Sequence, residues 1–209
     1  AKALPVEFVY IATDNLKIKE VVEKAGFNVV MTSEKALTGT DRVAEAANQI
    51  DADIYINVQG DEPLLDPNDI LSIINFKKKY PNQIINGYCK INENEDRNSL
   101  NIPKVIFSEN NQMIYISRHL IPGSKSKNFK PSNYFKQVCI YAFNKKELTE
   151  YNGFGRKGTL ELNEDIEILR FLDIGLIIRV VETKNSSIAV DVPLDVKRVE
   201  EEILRKDKN

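Results

Sequence analysis

Ile54-Tyr55-Ile56-Asn57-Val58 is a β-branched and aromatic run, and it ends at once in Gln59-Gly60-Asp61-Glu62-Pro63. Such a run reads as a strand of a parallel sheet, and the glycine, carboxylates and proline sit where its carboxyl end opens into a loop. Working outward, Asp66-Pro67 opens a helix that runs to Tyr80, because Pro suits the first helical position. On the other side, Thr40 to Gln49 carries a cap candidate and apolar Val43, Ala46 and Ala47, which predicts another helix. Further upstream, Val6 to Thr13 predicts a strand buried on both faces. Ile18, Val21, Val22 and Ala25 recur at helical spacing before Gly26, and Asn28 to Met31 predicts a second strand. Strands alternating with helices imply an α/β fold, Rossmann-like, with a mostly parallel sheet.

The middle of the chain changes character. Ile84 to Lys90 predicts a strand, and Lys104 to Ser108 with Met113 to Ser117 predict a β-hairpin around Glu109-Asn110-Asn111-Gln112. Pro122 to Ser132 is basic and rich in turn residues, so it reads as a loop. A strand at Gln137 to Phe143, a helix from about Glu164 to Asp173, a strand at Leu176 to Val181 and a helix after Pro193 complete the pattern. The expected organisation is a single domain over residues 1–209.

Composition narrows the function. With 209 residues, 42% of them hydrophobic, the chain buries one sizeable core or two small ones, which argues against disorder and fibrous repeats. Lys and Arg number 29 against 31 Asp and Glu, so no positive excess favours nucleic acid. No window reaches the roughly 18 uninterrupted apolar residues of a membrane span, and Ala1 to Phe8 lacks the features of a signal peptide, so a cytoplasmic location is the expectation. Cys89, Cys139 and the sole histidine, His119, stand far apart, which excludes Cys/His zinc sites; any metal is held by oxygen.

Ligands of open α/β sheets bind at the carboxyl ends of strands. Gly60 there permits close backbone approach, and a carboxylate can hold Mg²⁺, which favours oxygen ligands together with substrate phosphates. The same residues also make an ordinary turn, and spacing leaves the two readings equal. Thr38-Gly39-Thr40-Asp41-Arg42 is likewise good helix-cap chemistry, and equally a start at which donors meet an acceptor-rich ligand. Asp191, ahead of Pro193, reads alone as a helix-entry residue. Glu161, Glu164 and Glu167 stand three apart and are expected on one side of a helix.

The words NVQGDEP (57–63), TGTDRVAEAA (38–47), ATDN (12–15) and AVDVPLDVKRVE (189–200) resemble the 3-deoxy-manno-octulosonate cytidylyltransferases, the CMP-Kdo synthetase family, in order and spacing. KVIFSENNQMIYISRHLIP (104–122), YFKQVCIYAF (134–143) and LELNEDIEILRFLDIG (160–175) extend the resemblance across the chain. It implies that the anomeric hydroxyl of an acidic 2-keto-3-deoxy sugar, Kdo foremost, attacks the α-phosphorus of CTP and releases pyrophosphate. A sialic-acid-like sugar, or a non-catalytic binding role, stands as the alternative. By resemblance Asp61 and Asp191 are catalytic and hold Mg²⁺. Thr38, Gly39, Thr40, Arg42, Gln59 and Gly60 line the nucleotide, and Gln59, Arg118, Lys125, Gln137 and Glu167 the sugar. The resemblance also implies a homodimer formed through the hairpin section, working in surface polysaccharide or lipopolysaccharide synthesis.

Three positions depart from the family: Ala36 and Gln137 where it usually has His, and Ile168 where it has Gln. The last two fall in the sugar set, where an aliphatic side chain in place of an amide removes hydrogen bonds. The family also opens with a strand and a Gly/Ser/Arg/Lys phosphate loop ahead of ATDN. That unit, about 30 to 40 residues long, is expected to precede Ala1 in the natural protein.

Overall fold

The computed structural model describes residues 8–125, 133–184, 190 and 192–206. Its elements run β1 (Tyr10–Thr13), α1 (Leu16–Lys24), β2 (Asn28–Met31), α2 (Gly39–Ala47), β3 (Tyr55–Val58), α3 (Pro67–Lys79), β4 (Ile84–Lys90), β5 (Lys104–Phe107), β6 (Met113–Ser117), β7 (Phe135–Phe143), α4 (Lys145–Gly153), α5 (Thr159–Glu164), α6 (Leu169–Asp173), β8 (Ile178–Glu182) and α7 (Pro193–Lys206). Short polar side chains start the helices by taking up backbone N–H groups that the first turn leaves unpaired. Asn15 accepts from Lys17 and Ile18, Thr38 from Asp41, and Asp66 from Asn68 with Pro67 behind it. At α4, Asn144 and Glu147 cap each other's backbone reciprocally.

The α/β, Rossmann-like reading holds, and the sheet is mixed rather than mostly parallel. Parallel pairs occur at β1–β2 and β4–β8, whereas β7 runs antiparallel to β3, β4 and β5. The hairpin β5–β6 adds a further antiparallel pair. The cause is β7, a long strand reached through the hairpin section instead of through a crossover helix, and antiparallel neighbours need no such crossover. A bulge in the β4–β7 ladder falls between Asn86 and Gly87, where Asn86 Nδ2 donates to the carbonyls of Val138 and Ile140 at 2.9 and 3.1 Å. That buried amide thus takes over donors the ladder lacks at the irregularity.

The six-stranded sheet divides two apolar layers by the strand's period of two. Odd-numbered Tyr141 and Phe143 of β7 join Ala44, Leu148, Tyr151, Leu169 and Phe171 beneath α2, α4 and α6. Even-numbered Val138, Ile140 and Ala142 face Ile73 and Phe76 of α3. Lys77 of α3 and Glu147 of α4 form a buried ion pair at 2.6 Å, in which the ammonium also donates to the Gln83 carbonyl at 2.8 Å. Burial disfavours both charges, and their mutual contact opposes it.

Two expectations need correction. The first strand is not buried on both faces: among the described residues β1 pairs only with β2, and Tyr10 and Ile11 are 37% and 40% exposed. This pair is tied to the rest through α2 and the turn after it, where the Arg42 and Glu45 side chains of the helix and that of Gln49 beyond it bond Thr32 Oγ1, Ser33 N and Met31 O. Of the predicted helix over 164–173 only α6, Leu169–Asp173, forms as such: Asp165 adopts a left-handed φ of 51° and ends the short α5 that precedes it at Glu164. The predicted loop at 122–132 is described only to Lys125. Among the described residues, no helix is long and apolar enough to cross a membrane.

Candidate active site

Three segments far apart in sequence meet at the N-terminus of α2. Thr40 N donates to Glu167 Oε2 at 3.0 Å, and Gln59 Nε2 donates to Glu167 Oε1 at 3.1 Å. Gly39 lies in the same contact: a Cβ built on it would stand 3.5 Å from Glu167 Oε2 and 3.9 Å from Gln59 Nε2. The carboxylate of Glu167 thus sits at a helix start, where free N–H groups and the helix dipole favour negative charge. Burial pushes the Glu167 carboxyl above its ordinary range, opposed by the hydrogen bonds from Thr40 and Gln59. A half-buried carboxylate with a raised pKa suits acceptance of sugar or ribose hydroxyls better than ion pairing.

Asp61 follows the same strand end as Gln59. Its Oδ1 is buried and has no hydrogen-bond partner among the described residues, and its carbonyl accepts from Val190 N at 2.8 Å. Asp191 lies outside the described residues, but its neighbour is therefore held directly on Asp61. A buried acceptor with nothing to accept from calls for a cation or a donor. The described residues contain no ready group of three metal-ligating side chains. That is compatible with Mg²⁺, which takes one or two protein carboxylates and fills its octahedron with water and substrate phosphates.

The odd face of β7 carries further buried polar groups. Gln137 is buried and donates through Nε2 to the Tyr141 hydroxyl at 3.2 Å. Burial pushes the Cys139 thiol up to about 12, against a hydrogen bond with Tyr141, and the nearby charges of Glu62, Glu167 and Asp61 add to the rise. Burial raises Tyr141 as well, so its phenol stays neutral and able to donate.

Thr38, Gly39, Thr40, Gln59 and Glu167 are therefore brought together, Asp61 stands two residues beyond Gln59 at the end of β3, and the Gln137 side chain is given to Tyr141 on β7. Gly60 is exposed, and a Cβ there would meet nothing within 4 Å. Other expected site residues are engaged elsewhere. Arg42 turns to the β1–β2 pair, donating to Thr32 Oγ1 at 2.6 Å and Asp14 Oδ2 at 3.1 Å. Arg118 is clamped on backbone carbonyls, donating to Glu164 O at 2.6 Å, Asp165 O at 2.8 Å and Leu100 O at 3.0 Å. Lys125 is exposed at the edge of the described segment. Ile168 is 1% exposed within the main core, so the apolar side chain there is packing and not a replaced sugar contact.

The glutamates do not share a helix side either, because the chain breaks at Asp165. Glu161 is buried against Arg170, Glu164 accepts from Arg118 N at 2.9 Å, and Glu167 enters the cleft. Arg170, Asp41 and Tyr151 are missing from the sequence reading of the site. Arg170 interrupts the apolar run Ile168-Leu169-Arg170-Phe171-Leu172, and a cation in such a run must find buried counter-charge. Tyr151 carries no comparable local signal.

The comparisons with known proteins agree with this geometry. The family described as cytidylyltransferase matches residues 1–186. A 3-deoxy-manno-octulosonate cytidylyltransferase of Syntrophus aciditrophicus is 36% identical over 203 residues, covering 95% of this chain and 81% of the relative. An 8-amino-3,8-dideoxy-manno-octulosonate cytidylyltransferase of Shewanella baltica is 35% identical over 201 residues, covering 93% and 80%. Among solved structures, a CMP:2-keto-3-deoxy-manno-octonic acid synthetase complexed with CTP superposes with a TM-score of 0.88 at 29% identity, over 96% of this chain and 82% of the other. On these sequence matches, the chain belongs to the cytidylyltransferase family.

Proposed function

We propose that the protein transfers CMP from CTP to Kdo and releases pyrophosphate. The observation that carries this reading is the meeting of the α2 N-terminus, Gln59 and Glu167 beside the orphaned Asp61 carboxylate. In the reaction the anomeric hydroxyl oxygen of the sugar forms a bond to the α-phosphorus of CTP. The bond from that phosphorus to the bridging oxygen of the β-phosphate breaks, and the hydroxyl proton leaves to solvent or to pyrophosphate. Such displacements depend on alignment and charge neutralisation.

The chain's own residues supply the alignment. Thr38 and Thr40, bonded to Asp41 and Glu167, hold the start of α2 on which Gly39 lets the nucleotide approach the backbone, while Gln59 and Glu167 orient hydroxyl-bearing groups between the two substrates. Gln137 and Tyr141 contribute buried polar groups from β7. Asp61 and Asp191 would hold Mg²⁺, which supplies charge neutralisation at the phosphates when bound. Arg118 and Lys125 remain candidates for the sugar carboxylate; for Arg118 this means using guanidinium N–H groups beyond those already given to backbone carbonyls.

Relatives of similar identity are named for Kdo and for its 8-amino analogue, so the acceptor panel includes both, together with a sialic-acid-like nonulosonate. Asp61→Asn, in the full-length enzyme, should lose pyrophosphate release by a factor of about 100 or more with an unchanged melting temperature. Near wild-type turnover of that variant at saturating Mg²⁺ and CTP would overturn the role of Asp61. Absence of turnover by the unaltered enzyme on every sugar would overturn the function.

The homodimer belongs to this proposal too. Ile114 on the edge strand β6 is 58% exposed, and Leu100 and Leu162 are 53% and 63% exposed. Sedimentation at micromolar concentration should show a dimer; a monomer would remove it.

A further inference from the structure

Behind the cleft lies a cluster of fully buried polar groups that touches neither substrate segment's ligand face but joins both segments. Arg170 is 0% exposed and uses its guanidinium as two forks: Nε and Nη2 donate to Glu161 at 2.7 and 2.8 Å, and Nη1 and Nη2 donate to Asp41 at 2.7 and 3.1 Å. The guanidinium carbon also stands 4.0 Å from the centroid of the Tyr151 ring. Asp41 is the third helical residue of α2, and Arg170 begins three residues after Glu167. One cation therefore ties the nucleotide segment to the sugar segment.

Tyr151 makes the second tie. Its hydroxyl lies 3.1 Å from Thr38 Oγ1 and 3.3 Å from the Glu167 carbonyl. Thr38 gives its own proton to the Asp41 carboxylate at 2.7 Å and accepts from Asp41 N at 3.2 Å. Asp41, held by Arg170, is acceptor-only, so Thr38 can only accept from the phenol. The phenol has one proton and two acceptors, one on each segment. Its donation is shared between the residue that caps the nucleotide helix and the backbone of the residue that enters the sugar cleft.

We infer that Tyr151 and Arg170 are positioning residues that couple the nucleotide segment 38–42 to the sugar segment 164–170, so that ordering one by its substrate orders the other. The inference rests on the proposed cytidylyl transfer for the identity of the two ligands, and on the hydrogen bonds above for the coupling itself. Neither residue touches a reacting atom. Ordering of a shared framework by the first ligand lowers the ordering cost of the second, which is positive coupling between sites.

Tyr151→Phe removes the hydroxyl and keeps the ring on Arg170, so the fold should survive. In hydrogen–deuterium exchange on the ligand-free, full-length enzyme, peptides covering 38–42 and 164–170 should both exchange faster while those of α3 are unchanged. The sugar KM should rise about 3- to 10-fold, the worth of one neutral hydrogen bond. In a Thr38→Val background the same change should raise it by less than half that factor, because the shared partner is already gone. Arg170→Lys keeps the charge without the forks and should loosen the same two segments.

Faster exchange confined to α4, or an equal KM factor in both backgrounds, would overturn the coupling through Tyr151. Wild-type exchange and KM in Arg170→Lys would overturn the part assigned to the guanidinium forks. If the unaltered enzyme turns over none of the sugars, the proposed function fails, while the exchange patterns still decide the coupling.

Discussion

Replacing Arg170 by Met should be among the most damaging single changes this fold can suffer, for a reason that a second variant isolates. The side chain is 0% exposed and serves two carboxylates that are themselves almost wholly buried, Asp41 at 6% and Glu161 at 1%. Burial works against the guanidinium's charge, but Glu161 and Asp41 outweigh it and hold its pKa above the ordinary value. Removing one partner of a buried pair costs about 3–5 kcal/mol, because the other charge stays behind uncompensated. Here two charges stay behind, each keeping one other bond: Asp41 from Thr38 and Glu161 from Gly158 N. Against a total stability of about 5–15 kcal/mol, such a loss leaves the variant near the edge of folding. The triple variant Arg170→Met, Asp41→Asn, Glu161→Gln removes all three charges and retains those two bonds, so it should recover to within about 2 kcal/mol of wild type. Urea unfolding of the three proteins at pH 7.5, followed by circular dichroism, measures this. A single-variant deficit under about 1 kcal/mol, or a triple variant less stable than the single one, would refute the reasoning.

Glu167 has a folded pKa raised by burial, so its contribution to stability is greatest in acid and declines as pH rises from its unfolded value toward the folded one. Glu167→Gln should therefore gain in melting temperature relative to wild type as pH is raised from 4.5 to 8, and a constant difference across that range would contradict it. Arg118→Ala should lower stability by about 1.5–3 kcal/mol through the lost charged donors to Leu100, Glu164 and Asp165. A raised sugar KM with an unchanged melting temperature would instead make it a ligand group and not a clamp. Ile168→Gln buries an amide in the core and should cost about 1–3 kcal/mol while affecting all acceptor sugars alike; an effect on one sugar alone would place the side chain in the pocket.

What was legible in the sequence is what depends on neighbours along the chain. The strand at 55–58, the capped helices at 39–47 and 67–79, and the hairpin strands at 104–107 and 113–117 follow from side-chain period and from caps at the helix starts. The break at Asp165 was not legible, because a left-handed Asp is one of several ways to end a helix and the run Glu161, Glu164, Glu167 has helical spacing. Nor was the direction of β7, since a strand's own residues do not state which partners it meets. The exposure of Tyr10 and Ile11 escaped for the same reason: an apolar run asks for cover on both faces and does not say which element provides it.

The site divides along the same line, and the division has a physical cause. Gln59, Asp61 and the segment 38–40 stand at a strand end and a helix start, where consecutive residues show the turn and the cap, and it is the family resemblance that singles them out as a site. The contact of Glu167 with Thr40 spans 127 positions, and that of Arg170 with Asp41 spans 129, and no local pattern encodes either. Arg42 and Arg118 show the converse: each stands beside a binding motif, yet donates to acceptors of its own fold, Asp14 and Thr32 for one and the carbonyls of Leu100, Glu164 and Asp165 for the other. A guanidinium has five donors, so these bonds leave each arginine some N–H groups to spare. In a cleft that binds anionic substrates, the donors already given to the protein hold the frame. The reacting groups are met by what is left short of partners, of which the buried Oδ1 of Asp61 is the clearest case.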